Sequence, residues 1–270
     1  MRERCTGCSA CVKVCPEGAV SMHGGIPRFD GRICIGCGHC GAWCPENCHG
    51  LEPAPPDLRC SPGSFMELAA SRRSVRLFLQ EELPDSLVAE LLSVVQFCPT
   101  GVNAQGITVV EWKGEAVRRK LFEPLAALLR HLRFTGLTWL AGILTGQWTF
   151  MTRVMGGEDL VFRDAPLVLF FFVPWKNPTG APDGDIAAAT VMLHACAMGL
   201  GTFWNGVARA VYPVMRGWHA GAPKGGRLRA VLCVGRPLRK PSWLVPGRDW
   251  TAVEAGSIRG SGPVRAAGAP

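Results

Sequence analysis

The spacing of apolar side chains predicts two amphipathic helices. Over residues 84–97 apolar positions recur every three or four residues and fall on one helical face. They are Leu87, Val88, Leu91, Leu92 and Val95. Residues 115–132 show the same period with Pro124 inside the run, so we predict a second amphipathic helix that is kinked at this proline.

Three apolar runs have the length and composition of buried strands. They are ITVVEW at 107–112, LVLFFFV at 167–173 and LRAVLCVG at 228–235. Residues 185–201 are apolar on every side, which predicts a helix in the core that ends at Gly199 or Gly201. Strands and helices mix without a regular alternation of strand, helix and strand, and this favours an α+β fold.

The composition changes along the chain and predicts four regions. Residues 1–50 contain nine of the thirteen cysteines and should form a small domain. Residues 51–63 are rich in proline and are typical of an extended linker. A larger domain is expected at 64–251, and the small residues of 252–270 predict a flexible tail.

Charge and hydropathy argue against nucleic-acid and membrane partners. The formal net charge is +8, but the basic residues are scattered, and bound anionic cofactors would offset much of this charge. Residues 134–151 are uncharged but contain several Gly and Thr, so a helical flap is favoured over a spanning helix. The chain starts without an apolar leader, and we expect a cytoplasmic protein.

The cysteines follow one motif twice, CTGCSACVKVCP at 5–16 and CIGCGHCGAWCP at 34–45. The spacing C-x2-C-x2-C-x3-C-P is typical of [4Fe–4S] ligands, with the fourth cysteine of each run serving the other cluster. One predicted cluster has the ligands Cys5, Cys8, Cys11 and Cys44, and the other has Cys34, Cys37, Cys40 and Cys15. Zinc is the alternative, although zinc sites pair their cysteines differently. Cys48 is left over, and we interpret it as a bystander. Residues 1–50 resemble a bacterial two-cluster ferredoxin.

The larger region contains four polar segments suited to a phosphate-bearing cofactor. SRRSVRLF at 71–78 places three arginines close together, and arginine binds phosphate through paired hydrogen bonds. PTGVNAQG at 99–106 and GLGTFWNG at 199–206 offer glycine-containing backbone. Basic residues recur near residues 236–248, and no dinucleotide-binding G-x-G-x-x-G occurs.

In order and spacing these segments resemble the nitroreductase superfamily of FMN-dependent oxidoreductases, over residues 64–250. The resemblance implies a central mixed or antiparallel sheet flanked by helices, and a homodimer with FMN at the subunit interface. It implies flavin contacts from one subunit by Arg72, Arg73, Ser74, Arg76, Thr202, Phe203 and Trp204, with Lys240 and Arg248 at the phosphate. Thr100, Gly101 and Asn103 would approach the flavin from the partner subunit. The family's usual proline after glutamine is Gly106 here, so the path of that loop is open.

The two halves together predict an enzyme that takes low-potential electrons through two [4Fe–4S] clusters to FMN. The predicted acceptor is a small conjugated molecule such as a nitroaromatic or a quinone, and no catalytic side chain is expected because FMN carries the chemistry. The predicted donor is a reduced ferredoxin or a similar carrier, with NAD(P)H left open. The alternatives are an electron-transfer subunit that relays to a protein and, less favoured, a redox sensor. Trp139, Trp148 and Phe150 are candidate lid residues.

Overall fold

The computed structural model describes residues 4–52, 60–136, 147–177, 179–215 and 222–239. The N-terminal part has two short helices, α1 at Ala10–Lys13 and α2 at His39–Ala42, one within each cysteine motif. Between them lies a hairpin of β1 (Val20–His23) and β2 (Ile26–Phe29), paired antiparallel from Val20 opposite Phe29 to His23 opposite Ile26. The repeated motif in the sequence thus gives the same local structure, a short helix, at each of its two copies.

The larger part is built on a four-stranded sheet. Its strands are β3 (Thr108–Lys113), β4 (Leu167–Pro174), β5 (Gly201–Trp204) and β6 (Gly226–Gly235). The order is β3-β4-β6-β5, and all neighbours are antiparallel. The α+β prediction is therefore confirmed, and so are the three predicted strands. The apolar pattern does not predict β5, because its four residues include a glycine and lack the apolar run that marks the others.

Helices cover both faces of this sheet. They are α3 (Pro62–Ser71), α4 (Asp85–Ser93) with a 3-10 turn at Val94–Phe97, α5 (Glu115–Val117), α6 (Glu123–Arg133), α7 (Trp148–Met155), α8 (Gly180–Ala197) and α9 (Gly206–Met215). β4 separates two cores: Val168, Phe170 and Phe172 pack with α5 and α6, while Leu167, Leu169 and Phe171 pack with α8. Successive side chains of a strand point to opposite faces of the sheet, so alternate residues of β4 enter the two cores.

The helical run from Glu115 to Arg133 is interrupted before its proline. A π-helical segment at Arg118–Phe122 joins α5 to α6, and Pro124 lies in the first turn of α6. Proline has no N–H to donate, and the first turn of a helix does not need one. The structure therefore interrupts the helix at the π-helical residues just before Pro124, where the sequence predicted a kink at the proline itself.

Helix α8 differs from the prediction in its packing. It begins at Gly180 rather than 185, and its buried residues include Ala187, Val191 and Ala195. On another face Ile186 is 39% exposed in the single chain. Ile186 is therefore an apolar side chain that the rest of the chain leaves partly uncovered.

The uncharged segment 134–151 is only partly described. Residues 137–146, and with them Trp139, lie outside the described residues, while Trp148 opens α7 and Phe150 packs against the first core. Of the helices that the structure describes, none has both the length and the hydropathy to cross a membrane.

Candidate functional site

No disulfide joins any of the thirteen cysteines, and the structure gathers the first predicted ligand set. Cys5, Cys8 and Cys11 line one cavity together with Cys44, which comes from the second motif. The glycine inside the first C-x2-C pair of each motif is left-handed, with φ 73° at Gly7 and 63° at Gly36. The two loops therefore follow similar paths. Cys44 of the second motif lies beside the three cysteines of the first motif, as the two-cluster ligand pattern requires.

The last cysteine of each motif accepts a backbone hydrogen bond. The Ala19 N–H donates to Cys15 Sγ at 3.2 Å, and the Cys48 N–H donates to Cys44 Sγ at 3.4 Å. Both donors lie four residues after their cysteine, so the repeat preserves the contact. The Cys48 N–H lowers the pKa of the Cys44 thiol because it stabilises the thiolate. Thiolates bind iron, so this donor set fits [4Fe–4S] clusters.

Cys48 is a fifth thiol in the first cavity. Desolvation and the hydrogen bond with the neighbouring Cys44 raise the pKa of Cys48 to about 11. The role of Cys48 as a bystander stays a prediction. Over the described residues, no three Cys, His, Asp or Glu side chains converge on a single metal-ion position. Each cysteine around a cubane binds a separate iron, so ligands of a cluster need not converge in this way.

The arginine segment forms an extended strip beside β5. Ser74 bridges Thr202 in parallel, and the Val75 N–H donates to the Thr202 carbonyl at 2.9 Å. Further along, Phe78 bridges Pro237, and its ring stacks on Phe203 at 6.2 Å between centroids. These contacts bring together two predicted flavin-binding segments that lie more than 120 residues apart in sequence.

Three guanidinium groups lie in this strip. In the described part of the chain, Arg72, Arg73 and Arg76 form no ion pair, whereas seven other basic side chains do. Arg76 lies over the Phe203 ring, with 5.9 Å between its Cζ and the ring centroid. A phosphate could therefore take up these donors without displacing a carboxylate.

Gly201 is required where the strip meets β5. A Cβ placed on Gly201 would lie 2.7 Å from Cβ of Val75, closer than real Cβ contacts. Thr202 and Phe203 are buried, while Trp204 is 39% exposed. The strip and β5 therefore form a tightly packed floor with Trp204 at its edge.

The 99–106 loop is fixed to the start of α8. The Gly101 N–H donates to Asp183 Oδ1 at 3.0 Å, and Asn177 Nδ2 donates to Asp183 Oδ2 at 3.1 Å. Thr100 Oγ1 accepts the Gln105 N–H at 3.0 Å. Asp183 is buried, and a carboxylate is favourable in the first turn of a helix. The sequence analysis did not identify Asp183 or Asn177. Asp183 could have been noticed as an acidic residue in the first turn of an otherwise apolar helix.

Four residues of this loop have left-handed backbone. They are Val102, Asn103, Gln105 and Gly106, with φ between 47° and 75°. Such values are unusual for a β-branched residue and persist only where the surroundings hold the chain. Gly106 has φ 75°, which proline cannot adopt, so the loop takes a path that the family's usual proline would forbid.

The two groups of predicted flavin contacts lie far apart within one chain. The stretch of α8 from Asp183, which holds the loop, to Ala197, which precedes β5, is about 21 Å long. Along β6, Gly226 pairs with Pro174 beside the loop, and Val234 pairs with Thr202, which gives a separation of about 26 Å. These distances exceed the length of a flavin ring system. Lys240 and Arg248 lie outside the described residues.

Comparison with known proteins identifies both parts of the chain. A model described as "Nitroreductase family" matches residues 69–236, which is more than half of the chain. The chain belongs to the nitroreductase family. It is an oxidoreductase by this membership, and a second model, "4Fe-4S dicluster domain", matches residues 4–48 ahead of the nitroreductase domain. The predicted combination of a nitroreductase with a ferredoxin-type domain is thus confirmed.

Solved structures share the fold of the nitroreductase domain. An FMN-dependent nitroreductase from Clostridium difficile is 16% identical, with 72% of this chain and 100% of that chain covered and a TM-score of 0.55. A nitroreductase with bound FMN from Desulfitobacterium hafniense is 20% identical, with 70% and 97% covered and a TM-score of 0.54. One from Bacteroides fragilis, also with bound FMN, is 17% identical, with 73% and 98% covered and a TM-score of 0.52. No functionally curated protein matches the chain.

Proposed function

We propose that this nitroreductase binds FMN and receives low-potential electrons through two [4Fe–4S] clusters. The observation that carries the proposal is the strip of three arginines, none in an ion pair with a described residue, hydrogen-bonded to β5 within the region that the family model matches. FMN carries a phosphate and a planar ring system, and the strip and β5 offer cationic donors beside a packed floor. The structural neighbours with FMN in their names support the same cofactor.

The arginine strip would bind the phosphate end and orient the rings. Arg72, Arg73 and Ser74 are assigned to the phosphate and ribityl chain, and Arg76, held over Phe203, to the pyrimidine edge. A cation there stabilises the negative charge of the reduced cofactor. Thr202, Phe203 and Trp204 would lie along the ring system, with Lys240 and Arg248 as further phosphate contacts. When bound, FMN supplies the conversion between single electrons and a two-electron reduction.

The cysteine loops would hold the clusters that supply these electrons. Cys5, Cys8, Cys11 and Cys44 are assigned to the first cluster, supported by their shared cavity. Cys34, Cys37, Cys40 and Cys15 are assigned to the second, supported by the equivalent N–H bond to Cys15. The clusters supply one-electron transfer at low potential. Cysteines that bind clusters must stay reduced, so this assignment fits a reducing compartment such as the cytoplasm.

The active unit is proposed to be a homodimer. Thr100, Gly101 and Asn103 lie at one end of α8, and the arginine strip lies beyond the other end, so one flavin can touch both groups only if two chains supply them. The exposed face of α8, with Ile186, and the exposed Phe97 provide an apolar surface for such contact. In a two-fold dimer the start of one α8 can lie beside the end of the other.

The proposed reaction is reduction of a small conjugated acceptor, such as a nitroaromatic or a quinone, with a reduced ferredoxin-type carrier as donor. The test is anaerobic purification of the wild-type protein and of variants Arg72→Ala and Arg76→Ala, followed by flavin and iron counts. We expect about one FMN per chain in the wild type and a loss of FMN affinity of roughly tenfold or more in each variant, because hydrogen bonds to charged groups contribute about 1.5–3 kcal/mol. Arg119→Ala, on an exposed helix surface paired with Glu115, is the control and should retain FMN. Full FMN retention in both variants would refute the phosphate assignment.

Turnover separates the enzyme from an electron relay. The FMN-loaded dimer with reduced ferredoxin should reduce 4-nitrobenzoate or 1,4-benzoquinone without any added protein acceptor. Flavin reduction without turnover of either compound would favour the relay.

A further inference from the structure

The second cysteine loop lies against the nitroreductase domain. Asn103 Nδ2 donates a hydrogen bond of 2.9 Å to the carbonyl oxygen of Ile35, which lies between Cys34 and Cys37. A cavity of about 630 Å³ opens beside this contact. Gly36 and Cys37 line it from the cysteine loop, and residues between Val95 and Ile107 line it from the other side.

The first cysteine set lies in different surroundings. Among the described residues, its cavity is lined entirely by the N-terminal part, from Cys5 to His49. The two predicted cluster positions are therefore not equivalent with respect to the nitroreductase domain. The Cys34–Cys40 loop borders the 99–106 loop, while the cavity of Cys5, Cys8, Cys11 and Cys44 borders only its own domain.

The 99–106 loop is also far from the arginine strip of its own chain. The separation is about 21 Å along α8 and about 26 Å along β6. Electron tunnelling rates fall exponentially with distance, so a route through the whole nitroreductase domain would be slow. In the proposed homodimer the same loop faces the flavin bound by the partner subunit's Arg72.

We propose that the Cys34–Cys40 loop is the electron exit of the N-terminal domain and that it serves the flavin site of the partner subunit. This inference rests on the proposed function, since it requires FMN at the arginine strip and a dimer. Each transfer oxidises the cluster at Cys34, Cys37, Cys40 and Cys15 by one electron and reduces the flavin by one. Two transfers, with two protons from water, complete the conversion of FMN to FMNH2. An external one-electron carrier re-reduces the clusters through the Cys5 side.

Heterodimers distinguish transfer between chains from transfer within a chain. Two differently tagged chains are co-expressed and the mixed dimer is purified anaerobically. In the first heterodimer, one chain carries Cys34→Ser with Cys37→Ser and the other carries Arg72→Ala with Arg76→Ala. In the second, all four changes lie in one chain and the other is wild type. Both should contain the same iron and about one FMN per dimer, so the pair is matched in composition.

The measurement is the rate at which reduced ferredoxin bleaches the flavin in a single turnover. Transfer between chains predicts that the first heterodimer reduces its flavin at least about tenfold faster than the second, whose rate should equal that of the Cys34→Ser, Cys37→Ser homodimer. The opposite order, or equal rates, would overturn the inference while leaving the proposed function intact. Wild-type protein without FMN would instead refute the proposed function.

A second measurement does not depend on activity. Anomalous diffraction at the iron edge from crystals of the loaded wild-type dimer locates the irons relative to both flavins. We expect the cluster of the Cys34–Cys40 loop to lie nearer to the partner subunit's flavin than to that of its own chain. A shorter distance to the flavin of its own chain would overturn the inference.

Discussion

The hydrogen bonds around Asp183 allow a sharp test of how the 99–106 loop is held. Asp183 accepts from the Gly101 N–H and from Asn177 Nδ2, and Asn177 Oδ1 accepts from the Thr179 N–H and hydroxyl at 3.0 and 2.8 Å. In Asp183→Asn the new amide N–H faces the Asn177 amide N–H. The half-buried Asn177 Nδ2 then loses its acceptor, and the Gly101 N–H keeps only a neutral acceptor.

The expected cost follows from these two changes. An unsatisfied buried donor costs about 1–3 kcal/mol, and replacing a charged acceptor by a neutral one costs about 1 kcal/mol. The sum is about 3 kcal/mol, which lowers the Tm of a domain of this size by roughly 6–12 °C. Asn177→Asp should cost a similar amount, because it places two carboxylates against each other.

The double variant, with Asp183→Asn and Asn177→Asp in one chain, exchanges donor and acceptor. The new amide at position 183 would then donate to the new carboxylate at position 177 and still accept from the Gly101 N–H. That carboxylate would still accept from Thr179. We therefore expect a Tm within about 3 °C of the wild type, and a coupling free energy of about 5 kcal/mol in favour of the double variant in the double-mutant cycle.

Tm is measured on FMN-loaded protein at one fixed concentration, because ligand and dimerisation both shift it. Each single variant and the double variant are compared with the wild type under the same conditions. A double variant as unstable as the sum of the two single variants would refute this account of the loop.

Three other substitutions test the rest of the site. Cys44→Ser should remove about half of the iron, measured after anaerobic purification, because its thiolate is assigned to one of two clusters; Cys48→Ser is its matched control and should retain all of it. Gly201→Ala should destabilise the FMN-loaded protein by about 1–3 kcal/mol in denaturant, since its Cβ would overlap Val75, whereas Gly206→Ala has open space and should be nearly neutral. Ile186→Glu should shift the dimer towards monomers in analytical ultracentrifugation and lower FMN content, because it charges the exposed face of α8; Phe134→Glu, at a site 89% exposed outside that face, should do neither.

Local features of this protein could be predicted from the sequence, and long-range contacts could not. The cysteine spacing, the buried strands and the arginine segment are each contained in a short stretch of chain, so a pattern within that stretch is enough to locate them. The bonds from Gly101 to Asp183 and from Asn103 to Ile35 join residues 82 and 68 positions apart. No pattern within a short window contains either of them.

Helix α8 shows a second limit of sequence reasoning. A helix that is apolar on every side is expected in a core, and this one leaves Ile186 39% exposed within its own chain. The pattern of apolar residues indicates that a helix face avoids water. It does not indicate whether the same chain or another chain covers that face. The exposed Ile186 side chain and the distance between the two ends of the helix both support the proposed two-chain site.

Among the described residues, the side-chain hydrogen bond from Asn103 to the Ile35 carbonyl joins the two domains. One hydrogen bond, from Asn103 to Ile35, would hold two separate proteins together only weakly. Here the N-terminal domain is part of the same chain, so docking is intramolecular and a weak contact acts at a high effective concentration. The fusion therefore supplies proximity, and the Asn103 side chain needs only to select which cysteine loop faces the 99–106 loop.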